Sequence, residues 1–433
     1  MYRKILVICF ANFCTAFSLS AQDLHLSDAY NIALQHNYDI LIEKNNAQLT
    51  HLANSNGMAG GLPVVSANVN NQESLISVNQ KLNNGTIIDR SGIASNNLNG
   101  NLTAGWLLYN GNRVVAAQKR LQALEAQSQQ VLNARIQNTI AAVTVAYFDV
   151  IRQQSLLKTL QTSLAISQKQ LDIIKTRRQV GLATEADQFQ IQIDLNTREQ
   201  DISQQEAYIK QTRADLNNLL HLPADTLLNL TDSITINENL VYADVLNRVS
   251  ANPELLALGE QIKINEYLQK EAAALRKPSL NSFAGINYLQ AKAGAGQLLL
   301  NQNYGPFVGL GISIPVYNGG NSKRQEQMAA VRTQTAHLQH ENAMADFQTS
   351  ASKVYQAYTT GLAQLKAQRD ICNMSKQLVD LALQRFQLSS ATILELREAQ
   401  KSYEASGFHL IQLMYNTKLA ETELKRISNQ LSL

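Results

Sequence analysis

The chain has 433 residues, of which 37 are Lys or Arg, 34 are Asp or Glu, and 83 are Asn or Gln. Uncharged amides therefore outnumber the charged side chains, and with only 20 glycines and 6 prolines the composition favours long helices over a disordered chain. A formal net charge of +3 and only three cysteines argue against a strongly basic nucleic-acid binder and against a disulfide scaffold.

The chain begins with the pattern of a secretory signal peptide. Arg3 and Lys4 precede an apolar run over residues 5–17, which ends in small residues. This run is shorter than the ~20 residues that a transmembrane helix needs. We therefore expect residues 1–21 to be removed on export. Because Cys14 lacks the neighbours of a lipoprotein cleavage site, we expect no lipid anchor.

Two helical segments are each followed by a proline, after which the apolar spacing becomes two. Residues 22–62 and 244–277 have helical spacing, whereas residues 63–111 and 278–319 each predict a pair of strands of roughly ten residues. One strand has a wholly aliphatic face, which consists of Val308, Leu310, Ile312, Ile314 and Val316. Alternation alone favours a half-buried strand in a soluble sandwich over a strand in a membrane barrel, but the rest of the chain predicts long helices and no second sheet for these strands to pack against.

Each strand pair precedes a very long helix and a return helix. Residues 112–222 include almost 70 residues without Gly or Pro, about 100 Å of helix at 1.5 Å per residue, before a turn at Gly181. Residues 320–433 repeat this arrangement, with the turn at Ser389. Heptad spacing in both stretches predicts coiled-coil packing. The intervening residues 223–243 have weak periodicity, which predicts an irregular connector.

The second half of the chain repeats the first. Residues 109–111 (Tyr-Asn-Gly) recur at 317–319, and the segment that begins at Arg177 recurs at Arg385, with the same offset along the chain. The two prolines that precede the strand pairs, Pro63 and Pro278, are separated by a slightly larger offset. This difference predicts an insertion in the first strand pair. The ordered landmarks indicate a duplicated unit of helix, strand, strand, long helix and return helix.

The number of strands constrains how the chain enters a membrane. No apolar stretch after the signal is long enough for a transmembrane helix, so a membrane-embedded form requires a closed barrel. An open sheet edge in lipid costs several kcal/mol for each unpaired backbone group. Because single-chain outer membrane barrels begin at about eight strands, four strands must be pooled between identical chains.

This pattern resembles the TolC-type outer membrane factor family. The resemblance rests on the signal peptide, the two copies of the unit, the Tyr-Asn-Gly junctions and the Arg-x-x-Val-Gly-Leu turn at 177–182. It implies a mainly α fold with a small β part, whose four strands per chain contribute to a twelve-stranded trimeric β-barrel, continued by an α-helical coiled-coil barrel. It also implies a homotrimer in the cell outer membrane, with its helical part in the periplasm. Such a trimer is the exit duct of a tripartite efflux pump or type I secretion system and works with a periplasmic adaptor and an inner-membrane transporter.

The resemblance also implies roles for the two turns. Carboxylates after the second turn ring the periplasmic aperture in the family, and Glu395 and Glu398 match their spacing from Ser389. The first copy has Asp187 and Gln190 at the equivalent places, and Phe386 replaces a tyrosine that some members use as a latch. The adaptor contacts the turn itself, which is Val180, Gly181 and Leu182 in the first copy and, less similarly, Leu388 and Ser389 in the second.

Plainer interpretations of the same residues remain open. Glu395 and Glu398 also suit an ordinary solvated helix face, and Gly181 suits a helix C-cap. A soluble periplasmic coiled-coil adaptor or structural protein would share the signal peptide and the helices, although it would not need two matched strand pairs. We find no catalytic or cofactor motif and so expect no enzyme. The pair His337 and His340 matches no metalloprotease order, and we expect no metal site.

Overall fold

The computed structural model describes residues 22–295 and 298–431; the expected signal peptide, residues 1–21, lies outside them. The first half contains β1 (Gln22–Leu24), α1 (Leu26–His36), α2 (Tyr38–Ala53), β2 (Val64–Lys81), β3 (Ile87–Tyr109), α3 (Arg113–Gln179) and α4 (Glu185–Leu220). The second contains β4 (Leu228–Leu230), α5 (Tyr242–Val249), α6 (Pro253–Ala274), β5 (Ser279–Ala293), β6 (Leu300–Ser313), α7 (Asn321–Gln387) and α8 (Ile393–Ile427). None of the helices in these residues is long and apolar enough to cross a membrane.

The duplication is visible in the helix boundaries. Helices α3 and α7 both have 67 residues, and α4 and α8 have 36 and 35. The starts of the two long helices and the starts of the two return helices are separated by one and the same offset, which is that of the Tyr-Asn-Gly landmarks. The mainly α unit of helix, strand, strand, long helix and return helix is therefore confirmed.

Each predicted N-terminal helical segment is two helices rather than one. Asn37 separates α1 from α2, and its Oδ1 accepts hydrogen bonds from the backbone N–H of Asp39 and Ile40 at 3.0 and 3.3 Å. In the second copy Asn252 caps α6, and its Oδ1 accepts from the N–H of Glu254 at 2.9 Å. These two asparagines occupy matching places in the two copies and mark the same break, because each satisfies N–H groups of a new helix.

The strands are longer than the roughly ten residues expected from alternation. β2 and β3 have 18 and 23 residues, whereas β5 and β6 have 15 and 14. The longer first hairpin agrees with the predicted insertion. The aliphatic strand ends earlier than predicted: β6 ends at Ser313, so Ile314 and Val316 lie outside it. Pro315 lies between these two residues and has no N–H for a ladder.

The chain divides into two compact units. The first comprises residues 22–41, 135–249 and 348–431. Here β1 pairs in parallel with β4. The prediction that the connector 223–243 is irregular is therefore only partly right, because the connector contains β4 and the start of α5. The Tyr147 hydroxyl holds the connector to α3, since it donates to Asp232 Oδ2 and lies 2.7 Å from Leu24 O.

The second unit comprises residues 42–134 and 250–347. It contains a four-stranded antiparallel sheet in the order β2-β3-β5-β6. The two hairpins of the duplicated unit therefore lie side by side through β3 and β5. Strands β2 and β6 are the edges of this sheet.

Candidate functional site

The two helical turns have the same backbone. At the end of α3, the N–H of Leu182 donates to the carbonyl of Arg177 at 2.8 Å, and Gly181 has a φ of 79°. At the end of α7, the N–H of Ser390 donates to the carbonyl of Arg385 at 2.8 Å, and Ser389 has a φ of 58°. Both are Schellman caps, so the C-cap interpretation of Gly181 holds and Ser389 adopts the same left-handed conformation.

A threonine starts each return helix, but the first is bound more completely. The N–H and hydroxyl of Thr184 donate to Asp187 Oδ2 at 2.9 and 2.7 Å, and the N–H of Asp187 donates back to the Thr184 hydroxyl at 3.1 Å. Hydrogen bonds from the hydroxyl and then the backbone N–H of Thr184 lower the pKa of Asp187. Thr392 accepts from the N–H of Glu395 at 3.2 Å. Asp187 is thus occupied by its own capping box.

The structure places the two glutamates of the second turn on the surface. Glu395 and Glu398 are exposed and lie on neighbouring turns of α8. Glu395 Oε2 is 3.8 Å from the guanidinium of Arg385. In the first copy, by contrast, the Gln190 amide donates to Asp194 at 3.1 Å. Glu395 and Glu398 are therefore more exposed to solvent than their first-copy counterparts, Asp187 and Gln190, which are only partly exposed.

Phe386 lies in the core of the helical tips and is only 1% exposed. It packs with residues of α3, α4 and α8, among them Ile174, Ile191 and Leu396. The Arg177 guanidinium lies 4.5 Å from the Phe386 ring centroid and donates to the Phe386 carbonyl. This contact joins the ends of the two long helices, so the two turns lie at the same end of the first unit.

The exposed surfaces of the two tips differ in character. Val180 and Leu182 are exposed at the first turn, whereas Leu388 and, at the start of α8, Leu394 are exposed at the second. The tips also differ at two exposed positions on the return helices. These positions are Phe189 and Ile193 on α4, and Arg397 and Lys401 at the equivalent places on α8. The first tip is therefore more apolar than the second.

The four-stranded sheet has one aliphatic and one amide face. The strand register aligns residues of like character in rows across the sheet. The aliphatic rows are Val65–Ala104–Ala284–Val308 and Ala67–Leu102–Ile286–Pro306. The amide rows are Asn68–Asn101–Asn287–Gly305, Asn70–Asn99–Leu289–Asn303 and Gln72–Asn97–Ala291–Asn301. Since side chains alternate between faces along a strand, the two sets lie on opposite sides.

Both faces are open to solvent in the single chain. Val308, Leu310 and Ile312 are 85, 70 and 71% exposed. On the opposite face the Asn68 amide donates to Asn101 at 3.1 Å. A contiguous exposed aliphatic surface of this kind marks an interaction with another apolar surface.

Comparison with known proteins agrees with this arrangement. Residues 58–220 match the sequence profile of the family described as Outer membrane efflux protein. The Outer membrane efflux protein BepC of Brucella suis biovar 1 (strain 1330) is 22% identical over 337 residues, which are 75% of this chain and 71% of BepC. The resemblance to the outer membrane factor family is confirmed.

Solved structures with this family's fold cover almost the whole chain. The outer membrane protein VceC from Vibrio cholerae has a TM-score of 0.78 at 18% identity, with 94% of this chain and 97% of VceC covered. The Neisseria gonorrhoeae MtrE outer membrane channel, in its open state, has a TM-score of 0.73 at 18% identity, with 94% and 89% covered. The fold is thus that of the outer membrane factors over both units.

A buried polar cluster above the tips was not found from the sequence. The Gln400 amide donates to the carbonyl and hydroxyl of Ser163 at 2.8 and 2.6 Å and to the Ser167 hydroxyl at 2.9 Å. The Arg198 guanidinium pairs with Glu404 at 3.0 Å, and Glu404 also accepts from Ser163. The heptad pattern places these residues near helix seams but does not pair them. They fasten α8 to α3 and α4 in this outer membrane factor fold.

No metal-binding arrangement joins these features. Among the residues that the structure describes, no group of three or more His, Cys, Asp or Glu side chains is able to hold a metal ion.

Proposed function

We propose that this chain is the outer membrane exit duct of a tripartite efflux pump or a type I secretion system. It conducts substrate passively across the outer membrane, and its helical part lies in the periplasm. The match to the Outer membrane efflux protein profile and the fold shared with VceC support this function. In this proposal the duct performs no catalysis, and an inner-membrane transporter supplies the energy for transport.

The observation that carries the proposal is the two-faced sheet. The aliphatic rows suit contact with lipid, and the amide rows suit contact with water. The same chain contains two 67-residue helices. A soluble periplasmic adaptor or structural protein would account for the helices but not for a sheet with an exposed aliphatic face.

The sheet also supports the homotrimer. Its edge strands β2 and β6 have unpaired backbone groups, which lipid does not satisfy. Three chains supply twelve strands, and β6 of one chain then pairs with β2 of the next. Every edge is removed by this closure.

We assign the aperture to the second turn of each chain. Three copies of Glu395 and Glu398 around the trimer axis form a ring of carboxylates that attracts cations. Asp187 and Gln190 have local partners and contribute less, and the buried Phe386 supports the tip without lining the opening. Removal of both charges, in Glu395→Gln/Glu398→Gln, lowers cation selectivity in bilayer conductance measurements. Unchanged selectivity and divalent block would contradict the ring.

The two turns are also the proposed contact with the periplasmic adaptor. Val180 and Leu182, with Gly181 between them, present exposed apolar side chains at the first turn, and Leu388 beside Ser389 presents one at the second. The richer apolar surface of the first tip makes it the stronger of the two docking positions. An inner-membrane transporter completes the pump through the adaptor.

Substitutions on opposite faces of β6 test the proposed function. Leu310→Arg places a charge on the aliphatic face and costs about 2–4 kcal/mol if that face lies in lipid. Asn303→Arg, on the amide face, is the matched control. Wild-type protein and the control should stay in the outer membrane fraction after a carbonate wash, whereas Leu310→Arg should be depleted. Release of the wild-type protein by carbonate would overturn the membrane duct.

A further inference from the structure

A cavity of about 290 Å³ lies at the junction between β3 and α3. Its wall includes Gly111 at the junction, Lys119 on α3, and Tyr267, Lys270 and Lys277 from α6 and the residues after it. Three of its lining residues are thus lysines, and no carboxylate lines it in the part of the chain that the structure describes. The cavity is therefore electropositive.

The junction fixes two of these lysines. Gly111 has a φ of 69°, and a Cβ on it would lie 2.5 Å from Cβ of Lys277. The missing side chain lets the Lys277 stem lie against the backbone, with its ammonium group left in water. The Lys270 ammonium lies 4.8 Å from the Tyr267 ring centroid, a cation–π distance. The cavity therefore has a built wall in addition to surface charge.

The carboxylate next to Lys270 in the sequence already has a partner. Glu271, next to Lys270 in the sequence, is bound to Arg120 at 2.6 Å, and both side chains are mostly buried. The junction in the second copy differs, because its cavity has Lys323 and an arginine, Arg276, that is already paired with Glu326 at 2.9 Å. The lining by three lysines is therefore specific to the first junction.

The chemistry suits a phosphate ester. Lysine ammonium groups donate charge-assisted hydrogen bonds to phosphate oxygens, and a cavity of about 290 Å³ has room for a headgroup without its acyl chains. Trp106 and Tyr109, half-exposed at the end of β3, precede the cavity in the chain. Aromatic and basic side chains at the end of a membrane strand are typical of the membrane–water interface.

We propose that this cavity binds the phosphate headgroup of an anionic phospholipid. The inference rests on the proposed function, because a lipid occupant requires the sheet to lie in the membrane. The lipid headgroup would anchor the strand-to-helix junction of each chain at the membrane surface.

The test compares purified, detergent-solubilised wild-type protein with Lys119→Gln/Lys270→Gln/Lys277→Gln. The probes are dihexanoyl phosphatidylglycerol, dihexanoylglycerol and inorganic phosphate, and binding is measured by native mass spectrometry and calorimetry. Lys263→Gln is the matched control, since Lys263 is on α6 but is paired with Glu260 at 2.7 Å. The triple variant should bind phosphatidylglycerol about 10- to 100-fold more weakly than wild type and the control. Lys270→Gln alone should weaken it about 3- to 5-fold, which provides the test if the triple variant fails to fold.

Two results would overturn the proposal. Equal phosphatidylglycerol affinity in wild type and the lysine variants would show that the three lysines of the cavity do not bind the lipid. Inorganic phosphate that binds as tightly as phosphatidylglycerol would identify a site for soluble anions instead. Conductance of the wild-type protein is measured separately: its absence would count against the duct, whereas equal lipid affinities would count against the cavity alone.

Discussion

The turn between α3 and α4 and the turn between α7 and α8 have the same backbone hydrogen bonds but differ in the left-handed residue, in the cap of the return helix and in several exposed side chains. The first has Gly181 in the left-handed position, a complete Thr184–Asp187 capping box, and exposed Phe189 and Ile193 on the return helix. The second has Ser389 in that position, and its Glu395 extends toward Arg385 at 3.8 Å.

The two copies of the turn have kept the same cap geometry but have diverged in their exposed side chains. The cap geometry persists because each turn must satisfy the last carbonyls of a 67-residue helix. The exposed side chains do not satisfy these carbonyls, so they can differ between the copies without loss of the cap. The return helix of one copy therefore has the exposed apolar side chains of Phe189 and Ile193, whereas that of the other has Arg397 and Lys401 at the equivalent places. Four predictions test this division.

The largest effect is expected at equivalent positions that the two copies use in opposite ways. Phe386 is buried, whereas Arg178, its counterpart in the first copy, forms an exposed pair with Glu185 at 2.9 Å. Phe386→Ala should lower the free energy of unfolding by about 3–5 kcal/mol, and Arg178→Ala by less than about 1 kcal/mol. Denaturant unfolding at one protein concentration measures both. Equal losses would mean that the two tips do not differ in packing.

The next effect concerns the helix caps. Thr184→Ala removes both directions of a capping box and should cost about 1–2 kcal/mol, whereas Thr392→Ala should cost about 0.5–1 kcal/mol. The same unfolding measurement ranks the two variants. A larger loss at Thr392 would contradict the more complete cap of the first turn.

A smaller, pH-dependent effect is expected at Asp187. Its folded-state pKa is lowered by Thr184, so its contribution to stability is complete above the unfolded-state pKa and is lost as pH falls through the folded-state value. Asp187→Asn should flatten the decline in melting temperature between about pH 5 and about pH 2. Adding Thr184→Ala to Asp187→Asn should then change the slope no further. If Asp187→Asn left the slope of melting temperature against pH unchanged, the capping box would not contribute to the pH dependence of stability.

The smallest effect is expected from exchange of the left-handed residues. Ser389→Gly relieves a strained backbone but frees the unfolded chain, so the net gain should be about 0.5 kcal/mol. Gly181→Ser should lose a similar amount. The two melting temperatures should move in opposite directions. Shifts of the same sign would show that the turns are not equivalent in backbone.

The sequence predicted the repeated elements because their signals are local. Landmarks such as Gly181 and Pro63 fix where a helix or strand pair begins or ends, and alternation fixes the faces of the sheet. Strand β4 escaped prediction because three residues become a strand only by pairing with Gln22–Leu24, at the far end of the first copy. The aliphatic strand was extended too far because alternation continues through Pro315, which ends the ladder.

The candidate site was only partly visible in the sequence. Spacing placed Glu395 and Glu398 on neighbouring helical turns, but burial of Phe386 depends on side chains from three other helices. The amide excess now has two locations. Nine amides form rows on one face of the sheet, whereas Gln400 is buried in a helix seam with Ser163. Composition alone does not separate a wet surface from a satisfied polar seam.

Single-channel recording tests the central claim most directly. The purified wild-type protein is added to a planar lipid bilayer, and current is followed at constant voltage. The duct predicts stepwise increases in conductance as individual trimers insert. Folded protein that inserts into the bilayer without any conductance, under conditions in which a known porin conducts, would contradict it.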